Sequence, residues 1–239
     1  MPQTGLLVLG RCAGLVARAP GFSHPSVPVV VRVALAVALA IGIAPGLPER
    51  RGLDAGLLVI ALAGEVALGS ALGLGASVLY DGAYYAGRLI DDAIGVRGSV
   101  PTANVTSAQG FGRLWSSAFL AALFLFDGYA LVVGALADSF THVPAGAFVR
   151  SADWLSFALA LPRAIVGAAL AVAAPALAVV VAIQLGIAIL ARIVPRLGSF
   201  SLAFPIVFAG AILVTVATLP LLAPLGARPW LTLPYGGGR

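Results

Sequence analysis

Long apolar stretches separated by short polar or proline-rich segments dominate the chain. Six stand out: Leu6–Val16, Val27–Ala44, Leu57–Tyr80, Leu114–Ala137, Ala164–Ala191 and Phe200–Leu222. A helix needs about 20 mostly apolar residues to cross a bilayer. The last four stretches are long enough, the second is borderline and the first is too short alone. The pattern predicts an all-α membrane protein of about six hydrophobic helices arranged as helical hairpins.

Prolines and glycines refine this picture. Pro45 and Pro48 end the second stretch, and Pro144 follows the fourth. Pro175 and Pro205 lie inside apolar stretches, where they predict kinks, because neighbouring helices in a membrane can satisfy the carbonyl groups that proline frees. The first two stretches can form a hairpin that turns between residues 20 and 28.

Composition supports the membrane class. Hydrophobic residues make up 61% and charged residues 10% of the 239 residues, against about 45–50% and 25% in soluble proteins. This excludes an ordinary soluble enzyme, a disordered chain and a disulfide scaffold. All 14 basic residues are arginines. They are scattered rather than clustered, so no nucleic-acid partner is expected.

The distribution of arginines does not predict how the helices are oriented in the membrane. Six alternating spans would place six loop arginines on each side, Arg50, Arg51, Arg150, Arg163, Arg228 and Arg239 against Arg18, Arg88, Arg97, Arg113, Arg192 and Arg196. The positive-inside rule then gives no direction. Either the number of spans differs, or the helices do not cross a bilayer one by one.

Charges within or beside the apolar stretches are the first functional candidates. Glu65 and Asp127 each lie in the middle of a stretch. Each carboxylate could pair with an arginine or hydroxyl of a neighbouring helix, or could relay protons or ions. The full set of intramembrane or helix-end charges comprises Arg11, Arg32, Glu65, Arg88, Asp91, Asp92, Asp127 and Arg192.

Small residues predict close helix packing in the third stretch. Gly69 and Gly73 form a G-x-x-x-G pattern, which lets two helix backbones approach each other. Cys12 is the only cysteine and is expected to be a small core residue. The two histidines lie in different loops, and no catalytic or metal-binding spacing occurs, so we expect no enzyme activity, cofactor or metal.

The longest polar interruption is the loop 95–112, which is rich in glycine and small polar residues. A structureless segment of this length is usually functional or disordered. It could be a solvated connector, or it could line or block an aqueous path.

Several blocks in a fixed order give the chain a resemblance to a known family. They are Arg11-Cys12-Ala13-Gly14-Leu15, Glu65-Val66-Ala67-Leu68-Gly69, Ala86-Gly87-Arg88-Leu89-Ile90-Asp91, Asp138-Ser139-Phe140 with Val143-Pro144-Ala145-Gly146, and Arg192-Ile193-Val194-Pro195. From about Leu7 to Leu222 the chain resembles the FliR/SctT family, the export-gate inner-membrane proteins of flagellar and virulence type III secretion.

The resemblance implies a single-copy, non-enzymatic channel subunit in the bacterial inner membrane, projecting toward the periplasm. It implies FliP/SctR-like and FliQ/SctS-like membrane partners, an FlhB/SctU-like switch protein, membrane lipid, and secreted unfolded proteins as cargo. It also implies that residues 1–239 form one export-gate domain, with a flexible tail at 229–239.

The family position of the channel plug falls on the loop 95–112. Its candidate residues are Ile94, Gly95, Val96, Gly98, Val100, Val105, Gly110 and Phe111. Two other functions remain open at this point. One is a small multi-pass ion-coupled transporter that uses Glu65 and Asp127, and the other is a membrane enzyme that acts on lipids.

Overall fold

The fold is helical throughout the part that the structure describes. A computed structural model describes residues 3–24, 26–49, 52–94, 110–125, 127–147, 153–193, 205–214 and 217. Its helices are α1 (Gln3–Arg18), α2 (Val29–Ile43), α3 (Ala55–Ile94), α4 (Phe111–Leu125), α5 (Gly128–His142), α6 (Asp153–Ile193) and α7 (Pro205–Val214), with a 3-10 turn at Ala44–Gly46. No strand occurs in these residues, which confirms the all-α class.

Two helices are much longer than the apolar stretches that predicted them. Helix α3 has 40 residues and continues beyond Tyr80 through Arg88 and Asp91. Helix α6 has 41 residues and passes through Pro175 without ending. Polar residues can continue a helix whose apolar part is already formed, because each added residue gains a backbone hydrogen bond.

The fourth apolar stretch is instead broken into α4 and α5. Asp127, at the start of α5, has a left-handed backbone with φ 54°. A left-handed residue cannot continue a right-handed helix. The apolar pattern alone therefore missed this break.

Three helices are long and apolar enough to cross a membrane: Val29–Gly46, Ala55–Val78 and Ala173–Leu190. A fourth crossing is possible if the bent pair of α4 and α5 is counted as one span. The predicted number of about six is therefore not confirmed for the described residues.

The chain forms two compact units. The first contains α1, α2, α3 up to Val78, the end of α4 from Ala122, α5, and α6 up to Ala164. The second contains α3 from Leu79, α4 up to Ala121, α6 from Ile165, and α7. The prediction of a single membrane domain stays a prediction, and the tail 229–239 lies outside the described residues.

Close backbone contact between α1 and α3 organises the core of the first unit. A Cβ at Gly69 would overlap the backbone of Arg11, and one at Gly14 would overlap the carbonyl of Val66. A Cβ at Gly73 would lie 2.8 Å from the Leu15 oxygen. The two helices can approach this closely because these positions carry no side chain.

Large apolar side chains remain exposed on α2 and α6. Only Ala36 and Ala40 of α2 are buried, while Val30 is 78% and Ile41 is 68% exposed. On α6, Leu170 and Leu185 are similarly exposed. Apolar faces of this extent need lipid or another protein to cover them.

The contact between α1 and α3 generates a prediction. Gly69→Leu should lower the free energy of unfolding by about 3 kcal/mol or more, because the added side chain must displace the α1 backbone. Gly56→Leu on the same helix is the control, since nothing lies within 4 Å of a Cβ at Gly56. Thermal unfolding of both variants in detergent measures the difference. Equal unfolding midpoints would contradict this packing.

Candidate functional site

A fully buried ion pair joins α1 to α3 in the first unit. The guanidinium of Arg11 donates from Nε to Glu65 Oε2 at 2.6 Å and from Nη2 to Glu65 Oε1 at 3.1 Å. Both side chains are 0% exposed. This two-point geometry matches the planar fork of arginine to the two oxygens of a carboxylate.

The end of α5 completes the site around this pair. Arg11 Nη1 donates to Ser139 Oγ at 3.0 Å, and Nη2 donates to the Val143 carbonyl at 2.8 Å. The guanidinium also lies 3.9 Å from the centre of the Phe140 ring, a cation–π contact. The backbone N–H of Gly146 donates to Glu65 Oε1 at 2.8 Å. We call these six residues the Arg11 network.

The Arg11 network compensates a large desolvation cost. A buried charge is tolerated only when it is paired and its remaining hydrogen-bonding groups are satisfied. Both oxygens of Glu65 accept hydrogen bonds, and all three nitrogens of the Arg11 guanidinium donate. Because Glu65 is held in this way, the arrangement suits a structural tie between α1, α3 and the end of α5.

Cys12 lies beside this network, on the short helix α1 that is not among the spans. Its side chain is 0% exposed and makes no disulfide. Burial raises the pKa of the Cys12 thiol to about 11. The thiol therefore stays protonated at physiological pH and behaves as a small apolar core residue.

A second buried carboxylate joins α3 to α4 in the second unit. Asp91 is 3% exposed. Its Oδ1 accepts from the backbone N–H of Phe111 at 3.0 Å, and its Oδ2 accepts from that of Gly112 at 3.4 Å. Burial raises the pKa of the Asp91 carboxyl, while these two N–H groups oppose the rise. Asp91 thus caps the first turn of α4 from a different helix.

Glycines bring the two helices together at this cap. A Cβ at Gly87 would overlap the backbone of Phe111 and Gly112. Gly110 has φ +89° and a Cβ there would collide with the Asp91 carboxyl. Gly110 therefore meets both requirements for glycine, a left-handed backbone and no side chain.

A third helix and an aromatic pair complete this region. Gln184 Nε2 of α6 donates to the Ala93 carbonyl in the last turn of α3 at 2.8 Å. Phe111, buried at the start of α4, packs edge-to-face on Phe208 of α7 with ring centroids 5.4 Å apart. We call the contacts of Asp91, Gly110, Gly112 and Gln184 the α3–α4 junction.

Of the other predicted charges, Arg88 and Asp92 lie close enough to Asp91 to influence its pKa, Arg88 lowering it and Asp92 raising it. Arg32 donates to the carbonyls of Val27 and His24, beside the start of α2. Arg88, Asp92 and Arg192 are exposed on their helices. Asp127 is exposed at the break between α4 and α5, and its side chain makes no capping hydrogen bond to α5. Their roles as intramembrane or helix-end charges stay predictions.

Most of the predicted plug lies outside the described residues, including Gly95, Val96, Gly98, Val100 and Val105. Ile94 is the last residue of α3, Gly110 forms the turn before α4, and Phe111 is the first residue of α4. Helix α3 therefore ends where the loop was predicted to begin, whereas α4 already includes Phe111 and Gly112, the last two residues of the predicted loop 95–112.

Sequence reasoning did not assign the partners of these buried carboxylates. Ser139, Val143 and Gly146 belong to blocks that carried the family resemblance, but nothing in their spacing from Arg11 indicates contact across more than 100 residues. Gln184 and Gly112 carried no signal beyond their residue type. No group of three His, Cys, Asp or Glu side chains able to hold a metal occurs among the described residues.

Comparison with known proteins places the chain among export proteins. The family described as bacterial export proteins, family 1, matches residues 3–231. The flagellar biosynthetic protein FliR of Escherichia coli K12 is 27% identical over 220 residues, covering 90% of this chain and 83% of that protein. The protein of the same name from Pectobacterium carotovorum is 28% identical over 222 residues, with the same two coverages.

The Arg11 network generates a stability prediction. Glu65→Leu should lower the free energy of unfolding by about 3–5 kcal/mol, because it leaves the buried Arg11 charge without a counter-ion. The double variant Arg11→Leu, Glu65→Leu should regain much of this loss, since it removes both charges. Thermal unfolding in detergent measures each variant, with Asp92→Leu, at an exposed position of the same helix, as control. A double variant no more stable than Glu65→Leu alone would contradict the pairing argument.

Proposed function

The chain belongs to the bacterial export proteins, family 1, and on that premise we propose that it is a structural, non-enzymatic subunit of a type III secretion export gate. In this role it forms part of the channel that carries unfolded proteins across the bacterial inner membrane. The match over residues 3–231 carries the proposal. The names of the two relatives favour a flagellar export apparatus.

Its proposed partners are FliP/SctR-like and FliQ/SctS-like membrane proteins, with one copy of this chain in the complex and an FlhB/SctU-like switch protein beside it. The exposed apolar faces of α2 and α6 support partner contacts as well as lipid contacts. At Gly134, Gly167 and Gly186 nothing lies within 4 Å of an added Cβ. These positions leave room for the close approach of a further helix.

The alternative of an ion-coupled transporter has less support. It needs Glu65 to bind and release a proton or cation, yet both Glu65 oxygens are committed to Arg11 and Gly146. Asp127, its second residue, is exposed at a helix break. The geometry of the Arg11 network favours a structural over a transporting role.

We further propose that the segment between α3 and α4 closes the resting channel. It connects two helix ends that the α3–α4 junction holds, and its glycines allow a compact backbone. Its bulky residues Val96, Val100 and Val105 would exclude water from a narrow passage. Phe111 would contribute from the base of the segment, because it packs on Phe208.

Copurification tests the subunit assignment. The tagged chain, expressed in its own bacterium, should bring down two other hydrophobic membrane proteins in a fixed stoichiometry. Expressed alone, it should be recovered in lower yield because its apolar faces lack their partners. A transporter would instead be stable alone or as a homo-oligomer, and that result would contradict the gate assignment.

Membrane conductance tests the closing segment. Deleting Val100–Val105 should leave assembly of the complex nearly unchanged and should let the resting gate conduct ions, because the passage loses the side chains that exclude water. Cells that express the whole gate with and without the deletion give the comparison. Unchanged conductance in a normally assembled complex would refute the plug role.

A further inference from the structure

We infer that the second unit presents a polar face, formed by α3 and α4, to the water-filled path of the channel, and that this face contacts the unfolded cargo. We define the polar face by its exposed polar residues, Tyr85, Arg88 and Asp92 of α3 and Arg113 of α4. The inference rests on the proposed function as a channel subunit and deepens it, because it assigns a lining surface to this chain.

The polar residues of α3 occupy one side of the helix. Tyr85, Arg88 and Asp92 follow each other at intervals of three and four residues, which places them on a single helical face. Ala83 and Ile90, on the opposite side, are 0% exposed and belong to the apolar core of the second unit. The polar face therefore points away from that core.

Helix α4 extends the polar face beyond α3. Its Gly112 packs against α3, where a Cβ would lie 3.4 Å from Arg88 Cγ, and its Phe111 is buried in the core. Successive residues lie about 100° apart around a helix, so Arg113 stands on the side of Gly112 that is away from Phe111. Arg88 and Arg113 thus flank the contact between the two helices on its exposed side.

Helix α6 sets the level of this face. Gln184 lies inside the apolar segment Ala173–Leu190, and its Nε2 donates to the Ala93 carbonyl of α3 at 2.8 Å. Val180 of α6 and Ile90 of α3, each about one turn earlier in its helix, belong to one core. The two helices therefore run side by side in the same direction, and the polar face lies alongside the apolar segment.

A charge at this level is costly against lipid. Charged side chains at the depth of a membrane-spanning helix face the protein interior or a water-filled cavity. A long arginine can extend its head group toward the membrane surface, but the short side chain of the exposed Asp92 cannot. Helix α6 instead exposes Val181 and Leu185 near the same level. The second unit thus has an apolar side that suits lipid and a polar side that suits water.

The chemistry of the polar face suits an unfolded polypeptide. Such a chain exposes backbone carbonyl groups, to which arginine and tyrosine side chains can donate. Arg88 and Arg113 outnumber Asp92, so the face carries a net positive charge and attracts acidic segments most strongly. The exposed Leu89 and Leu114 beside them can contact apolar side chains of the cargo. Ion pairs in water are individually weak, so the cargo can slide along the face.

Thiol labelling of the assembled complex in lipid nanodiscs tests whether the polar face is in water. In a Cys12→Ala chain, Tyr85→Cys and Asp92→Cys report the polar face, and Val181→Cys and Leu185→Cys, exposed positions of α6, are the matched controls. A charged methanethiosulfonate should modify the first two at least about tenfold faster, because the reactive thiolate forms in water. Equal rates at all four positions, or protection of the first two by a partner helix, would overturn the inference.

Photo-cross-linking tests the contact with cargo. An exported protein of the same bacterium, fused to a stably folded domain, stalls in the assembled gate. Benzoylphenylalanine in place of Tyr85 or Arg113 should cross-link to this cargo, whereas in place of Leu185 it should give no cross-link, because the α6 side faces lipid or a partner. Each position is compared with and without the stalled cargo.

The outcomes separate this inference from the proposed function. Cargo that cross-links at Leu185 but at neither Tyr85 nor Arg113 would overturn the assignment of the face and leave the chain a channel subunit. Stalled cargo that cross-links at none of the three positions would overturn the cargo contact. Failure of the proposed function would show separately, as a chain that purifies without membrane partners.

Discussion

Two buried opposite charges destabilise a fold unless they are paired with each other and all their hydrogen-bonding groups have partners. The Arg11–Glu65 pair imposes this constraint on the whole first unit. Arg11 lies in α1 and Glu65 in α3, and the remaining partners come from the end of α5 and the turn after it. All three elements must be in place before the two charges are satisfied. The pair therefore stabilises one arrangement of these helices, whereas apolar contacts alone would be compatible with several.

Small residues make this pairing possible. The salt bridge, with a distance of 2.6 Å between fully buried atoms, lies one helical turn from the point where Gly69 contacts the Arg11 backbone. Gly14 and Gly69 provide the close approach of α1 and α3, because each takes a position where a Cβ would overlap the backbone opposite. In a membrane, where apolar side chains gain little by leaving lipid, such backbone contact and interhelical hydrogen bonds supply much of the association energy. The glycines and the ion pair thus act together.

The second unit follows the same rule at a helix end. Here Asp91 supplies the acceptors that the first turn of α4 lacks, and Gly87 and Gly110 leave room for it. In both units a carboxylate from α3 accepts backbone N–H groups of a distant segment. Each unit thus contains one buried carboxylate of α3, Glu65 in the first and Asp91 in the second, whose oxygens accept from another segment of the same unit. An export channel must keep polar groups away from lipid while leaving its cargo a path. The small number of buried charged side chains in the described residues therefore suits the proposed function.

The sequence by itself determined the class of the protein. Its apolar stretches and scarcity of charge predicted an all-α membrane protein, and the ordered blocks carried the family resemblance, since both are properties of the chain read locally. It also indicated that Glu65 needed a partner, because an unpaired buried carboxylate is costly. Tertiary structure alone decided that the partner is Arg11, and that Ser139, Val143 and Gly146 complete the site. Local patterns do not encode which distant residues meet. Nor did they show the break at Asp127, because one left-handed residue leaves the apolar pattern almost unchanged. The apolar pattern ended at Tyr80 although α3 continues to Ile94, because the extension is polar.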